Sequence, residues 1–323
     1  MTTRACWGVC LIVAACGGSS APAPIGARIG PALAAALDAA ETVREPWRCA
    51  AGDLAQLKDE QLVQGKHTWR IAGHAMRLDG KGPVSIGVIA DAGGATPPTL
   101  GALGRLRTQL ATADLVISLG GMGTTQAELE ATLGTLSERS PWPIVALAGD
   151  LESETAHHAA IAALRARGHA VFDGRLVRRL ELPGATIATI PGAGAMARLV
   201  AASEGCGYTA ADVAAVFTEL TAAPGLRVVA SSEAPRVMVN GEPAGERALT
   251  PGPPQQIDVV LYGPPGSAES PPRAGARDGA AIALTPGTSD ASTRLPGPRH
   301  PPSAGLLTVT GNSWRWKPIV DPN

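Results

Sequence analysis

Aromatic residues are scarce in this chain: six Trp, two Tyr and two Phe among 323 residues, 3% in all. Its core must be built mainly from aliphatic side chains. A charge imbalance is missing too. Lys and Arg number 27 against 28 Asp and Glu, a formal net charge of −1. No strong field therefore draws nucleic acid or anionic lipid, and no nucleic-acid partner is expected. No apolar run reaches the roughly 20 residues that cross a bilayer as a helix. There is no strand–GxxxxGK[ST]–helix phosphate loop, so Gly192-Ala193-Gly194 has no nucleotide reading. There is no Gly-x-Ser-x-Gly elbow and no evident His partner, so Ser231 and Ser232 do not read as nucleophiles. Internal repeats and long linkers are absent as well, which favours one compact domain.

What is present begins at the N-terminus. Arg4 gives a short positive region, and Val9 to Ala15 (VCLIVAA) an apolar stretch of signal-peptide length. The string Val13-Ala14-Ala15-Cys16 resembles the lipobox of bacterial lipoproteins, with Val13 where Leu is commoner. The resemblance implies cleavage after residue 15 and acyl chains on Cys16, which hold a protein durably to a membrane. Residues 16–27, with their GGSSAPAP core, fit a flexible tether. Gly18, where an Asp would favour inner-membrane retention, points by the same resemblance to the outer membrane, facing the periplasm or the exterior. The alternative is a plain secretory signal cut near Ala21.

Cysteine usage agrees with export. Cys6 and Cys10 leave with the signal and Cys16 would be lipidated, so Cys49 and Cys206 remain. An even remainder in an oxidising compartment favours a Cys49–Cys206 disulfide; two buried free thiols are the alternative.

Along the chain, residues 28–44 and 52–64 predict helices, and His67 to Leu78 alternates like a strand, with Trp69, Ile71, Met76 and Leu78 apolar. Residues 28–83 thus form a helical segment with a leading strand, ahead of a domain at 84–323. From Val84, apolar strands alternate with helical patterns, which argues for a parallel sheet of βαβ units. Thr124 or Thr125 predicts one N-cap, and a helix over 210–222 follows Thr209. Residues 242–254 and 265–278 read as Pro/Gly-rich loops, and short strands fill the remainder. In open α/β sheets, ligands bind beyond the carboxyl ends of strands. The tips of interest are Asp91-Ala92-Gly93, Gly120-Gly121 and Gly149-Asp150.

Those tips have an order. IGVIADAGG, DLVISLGGMG, PIVALAGDLE, LRVVASSEAPR and VVLYGPPG, closed by ALTPGTSD and PSAGLLTV, resemble the calcineurin-like metallophosphoesterases over residues 84–318. The resemblance implies a four-layer α/β/β/α sandwich, two mixed sheets flanked by helices. It also implies a two-metal site that clamps a phosphoryl group and generates hydroxide. Carried over motif by motif, that site is depleted. Asp-x-His keeps Asp91 but has Gly93 for His. Gly-Asp becomes Gly120-Gly121, which loses the carboxylate that bridges the metals. Gly-Asn-His-Asp/Glu becomes Gly149-Asp150-Leu151-Glu152, with Leu151 for the catalytic His. Ser232 stands for a strand-end His. Gly-His-x-His becomes Gly263-Pro264-Pro265-Gly266, so Pro264 and Gly266 replace both imidazoles.

Only Asp91 and Asp150 could coordinate metal, a weak site for transition metals. The six His residues, at 67, 74, 157, 158, 169 and 300, lie away from the expected strand ends. No catalytic residue and no cofactor are therefore expected, and the fold would serve a binding or scaffold role at the envelope. The rival is a hydrolase with one divalent ion (Mn, Fe or Zn) on Asp91 and Asp150. Ser118, Thr124, Ser232 and Glu233 would line the same cleft, which could take a small polar ligand or a protein. His157-His158 reads as a solvated helix face, since adjacent residues point apart. Trp314 and Trp316, alternating with Arg315 and Lys317, read as an amphipathic closing strand, or else as an exposed aromatic patch.

Overall fold

A computed structural model describes residues 57–201, 204–239, 242–251, 255–264, 273–278, 281–292 and 300–321. The signal peptide, Cys16, the tether, the helix expected at 28–44, Cys49 and Gly266 lie outside the described residues.

The chain enters as three antiparallel strands, β1 (Leu57–Gln64), β2 (His67–Gly73) and β3 (Ala75–Asp79). This corrects the helix expected over 52–64 wherever residues are described. Leu57 and Leu62 pack against the core while Lys58, Gln61 and Val63 face out, and β1 pairs with β2 through a tight turn at Gly65 (φ +58°). Tertiary pairing overrides helix propensity here. The single strand expected over 67–78 is a hairpin. Gly73, at φ +57°, permits the reversal. The apolar alternation survives it, because Trp69 sits opposite Leu78 and Ile71 opposite Met76, all four buried.

An alternating run follows: β4 (Val84–Ile89), α1 (Pro97–Gln109), β5 (Leu115–Ser118), α2 (Gln126–Ser137), β6 (Ile144–Ala146), α3 (Glu154–Ala166) and β7 (Val171–Asp173). The helices begin where capping chemistry dictates. Thr96 caps α1 with Pro97 just inside, Thr125 forms a capping box with Glu128 on α2, and Ser153 caps α3. Then come β8 (Arg179–Leu182), β9 (Ala185–Ile190), α4 (Ala210–Thr221) with its Thr209–Asp212 capping box, and β10 (Leu226–Ser231). Next are β11 (Val237–Val239), β12 (Glu242–Ala244), β13 (Val259–Tyr262), β14 (Arg273–Asp278), β15 (Ala281–Thr285), β16 (Ser303–Thr310) and β17 (Ser313–Val320). The segments expected as loops thus hold β12, a 3₁₀ turn at Arg247–Leu249 and β14. Strand pairing satisfies their backbone despite the glycine and proline content.

Two mixed sheets result, beside a small antiparallel ribbon of β11 and β12. One has six strands, ordered β17-β16-β4-β5-β6-β7, with β4 to β7 parallel. The other has nine, ordered β1-β2-β3-β8-β9-β10-β13-β15-β14. The N-terminal strands enter this second sheet through the parallel pairing of β3 with β8. One core lies between the sheets, with Trp69, Ile86, Ile117, Val228 and Leu307. A second joins the six-stranded sheet to α1, α2 and α3 through Leu103, Leu133 and Leu164. A third joins α4 to the nine-stranded sheet through Val213, Phe217 and Leu220. The architecture is the expected α/β sandwich. The continuous apolar runs of β4 to β6 follow from it. Leu115 and Ile117 point into the inter-sheet core, while Val116 between them points to the helices.

Candidate functional site

The loops beyond β4, β5 and β6 meet backbone to backbone. Asp91 N donates to Gly120 O, and Gly93 N to Gly121 O, each at 2.9 Å. Gly120 abuts Gly149: a Cβ on Gly120 would lie 2.7 Å from the Gly149 Cα. Gly192 N donates to Ala148 O, and the Ser232 hydroxyl donates to Gly192 O at 2.6 Å. Gly263 lies against Ser232, where an added Cβ would fall 2.3 Å from the Ser232 carbonyl oxygen. Asp91, Gly93, Gly121, Asp150, Ser232 and the start of the Gly263-Pro264 turn therefore converge on one end of the two sheets. Leu151 follows Asp150 on the same loop.

Asp91 is the best-placed carboxyl. Its backbone is at φ +52°, a conformation that costs a non-glycine residue about 1–2 kcal/mol. Its carbonyl accepts from Ser289 N and from the Thr288 hydroxyl, which fixes it. Burial raises its pKa to about 6; a Thr288 hydrogen bond opposes this, while the Asp290 and Asp150 charges add to it. Asp150 keeps access to solvent, but its surroundings also raise its pKa, by desolvation first and by the Glu233 charge.

The residues do not fit a two-metal centre. A Cβ on Gly121 (φ +72°) would lie 2.9 Å from the Asp91 Cα, so a bridging carboxylate has no room there. A Cβ on Gly93 would lie 2.9 Å from Asp290 Oδ2. That carboxylate is already engaged by Thr99, by the backbone of Ser292 and by its hydroxyl. Among the described residues, no group of three or more His, Cys, Asp or Glu side chains is arranged to hold a metal ion.

The chain resembles solved structures of this architecture. One is TT1561 of Thermus thermophilus: 15% identity, 72% of this chain and 98% of that chain covered, TM-score 0.46. A second is GAP50, the anchor in the inner membrane complex of Plasmodium: 9% identity, 74% and 85% covered, TM-score 0.46. A third is purple acid phosphatase PPD1 from yellow lupin: 10% identity, 78% and 56% covered, TM-score 0.46. No family model and no curated protein matches the sequence.

Sequence reasoning assigned no role to Glu152 in the cleft. Its carboxyl is fully buried between the loops, where Oε1 accepts from Met122 N at 2.6 Å and Oε2 from Gly149 N at 2.8 Å. Burial raises its pKa to about 7 against these N–H bonds, so Glu152 staples the β5 tip to the β6 tip. The only signal was an acid two residues beyond Gly149-Asp150. Asp290 and Thr288, on the segment that leaves β15, were likewise not singled out. Glu233 is bound by Gly194 N, Tyr208 and Arg198. Thr124 is turned to Glu128. Ser118 is buried, and its hydroxyl has no hydrogen-bond partner among the described residues.

His157 corrects the solvated-face reading. It is 1% exposed, with Nδ1 3.9 Å from Asp173, while His158 beside it is exposed. The loop after β7 covers that face of α3 with the buried Asp173–Arg175 pair. Burial holds His157 below its ordinary pKa, against the pull of the Asp173 charge. Trp314 and Trp316 lean on the inter-sheet core, and Trp316 lies over Gly305, while Arg315 and Lys317 are exposed. Cys206 is buried and disulfide-bonded; its expected partner, Cys49, lies outside the described residues.

Proposed function

We propose that this protein is an envelope lipoprotein, anchored through Cys16, whose metallophosphoesterase-like domain has lost catalysis and serves as a binding or scaffold module. The observation that carries the reading is the closure of the cleft at Gly121. Residue 121 does more than lack a ligand side chain: the Asp91 backbone occupies the space a Cβ there would need. Glu152 supports it, since its carboxyl ties together loops that would otherwise frame the metals. In this reading Cys49 is the partner of Cys206, and the anchor places the domain at the outer membrane.

The rival is a hydrolase with a single divalent ion on Asp91 and Asp150, whose charges feel each other. Turnover of bis-p-nitrophenyl phosphate with Mn²⁺ separates the two. The proposal expects no rate above an Asp91→Ala control; turnover that this substitution abolishes overturns it. The anchor has its own test. Cys16→Ser should release the protein from membranes, and a parent chain that takes up no acyl label would refute lipidation.

A further inference from the structure

Between β9 and α4 the chain makes a loop, residues 194–205, whose two ends meet. Ala193 N donates to Cys206 O at 3.0 Å, and Tyr208 N to Ala193 O at 3.1 Å. Gly192, at φ +86°, turns the chain into this neck, and the buried, disulfide-bonded Cys206 is part of it. Compact surface loops of this kind, with joined ends and their own packing, are frequently functional.

The loop springs from the nine-stranded sheet, yet it touches both margins of the cleft. On one side Val200 N donates to Asp150 O at 2.8 Å, and Gly205 makes an isolated antiparallel bridge with Ser153. On the other, Arg198 ends a 3₁₀ turn (Met196–Arg198) and donates to Glu233 Oε1 at 2.7 Å, with Glu246 3.9 Å away. The loop is therefore one wall of the cleft, reaching from one sheet to the loop beyond β6 of the other.

Its apolar packing is its own. Leu199 is buried against Ala193 and Gly205, apart from the cores between the sheets and under the helices. Val200 beside it is 62% exposed. A segment with few buried apolar contacts to the rest of the fold opens at a lower free energy than the fold itself. The acceptors of Arg198 stay in place without the loop: the Tyr208 hydroxyl donates to Glu233 Oε2, and Ala248 N to Glu246 Oε1. Arg198 itself is 44% exposed, so water competes for its ion pair.

We propose that residues 194–205 are a strap that swings as a unit about its neck, with Arg198 as the latch that holds it to Glu233 and closes that side of the cleft. A use of the strap in ligand entry rests on the binding role proposed for the cleft; its opening does not.

The test is amide hydrogen exchange of the full chain without ligand, read by mass spectrometry on peptides from the strap and from α4. In the parent, the Val200 amide should exchange at least tenfold faster than the core of α4 and at least tenfold slower than a free peptide. Arg198→Ala should speed strap exchange at least fivefold and leave α4 unchanged. Salt of about 0.5 M should speed the strap at least twofold in the parent, again without α4, because it screens a half-exposed pair. If circular dichroism shows Arg198→Ala misfolded, the parent's rates and the salt arm decide alone. Strap exchange as slow as α4, or as fast as a free peptide, overturns the proposal. So does a strap rate unchanged by Arg198→Ala or by salt, or α4 accelerating along with the strap.

Discussion

Placing a carboxylate at residue 121, where the proposed resemblance would put a metal bridge, should harm this protein. Gly121→Asp replaces a glycine at φ +72° whose Cβ would meet the Asp91 Cα at 2.9 Å and the Asp91 N at 3.3 Å. Holding a side-chain residue in left-handed backbone costs about 1–2 kcal/mol. Forcing extra volume into a packed contact costs a further 1–3 kcal/mol or so. The neighbour here is backbone, which cannot rotate away as a flexible side chain would. A second carboxylate would also crowd Asp91, whose pKa is already raised to about 6. The sum is a loss of about 2–5 kcal/mol. In urea, followed by tryptophan fluorescence, the midpoint should fall by on the order of 1–2 M at an ordinary slope. Gly121→Ala isolates the steric part and should account for most of the loss. The reasoning is refuted if Gly121→Asp unfolds at the parent midpoint and binds Mn²⁺ stoichiometrically.

Three further outcomes are expected. Arg175→Ala removes one of the partners of the buried Asp173, which His158 and Arg175 hold well below the ordinary carboxylate range, and should cost about 1.5–3 kcal/mol in urea unfolding. Breaking the exposed Arg70–Asp79 pair by Arg70→Ala should cost less than about 1 kcal/mol. Glu152 and Asp91 have folded pKa values raised to about 7 and about 6 from 4.5 and 3.8. Between those limits the folded state holds protons that the unfolded state releases, so these two groups take away stability as pH rises from about 4 to 7, while His157, with its lowered pKa, works the other way up to about pH 6.5. Glu152→Gln should reduce that slope; an unchanged profile means Glu152 does not hold the proton.

The layers were legible in the sequence because their signals are local. Apolar runs of strand length, helical spacing and caps such as Thr125 and Thr209 each lie within a dozen residues. Residues 57–64 misled because Leu57, Leu62 and the charges between them also fit a short helix; the β2 partner settles the matter. The hairpin at Gly73 was hidden because alternation continues in phase across the turn. That Gly93, Gly121 and Pro264 offer no metal-ligating side chain is plain from the sequence. The contacts around them are not, since Asp290 is far from Gly93 in the chain, and Glu152 reaches back to Met122 across α2. His157 was misjudged because the burial of one helix face depends on Asp173 and Arg175, which the following strand delivers.

In the function proposed here, the fold lacks the side chains to hold two metals. Elemental analysis of the purified full chain, after equilibration with excess Mn²⁺, Fe²⁺ or Zn²⁺ and desalting, tests it most directly. The account predicts well under one equivalent of any metal, unchanged by Asp91→Ala. One or more tightly held equivalents, lost in Asp91→Ala, would contradict it.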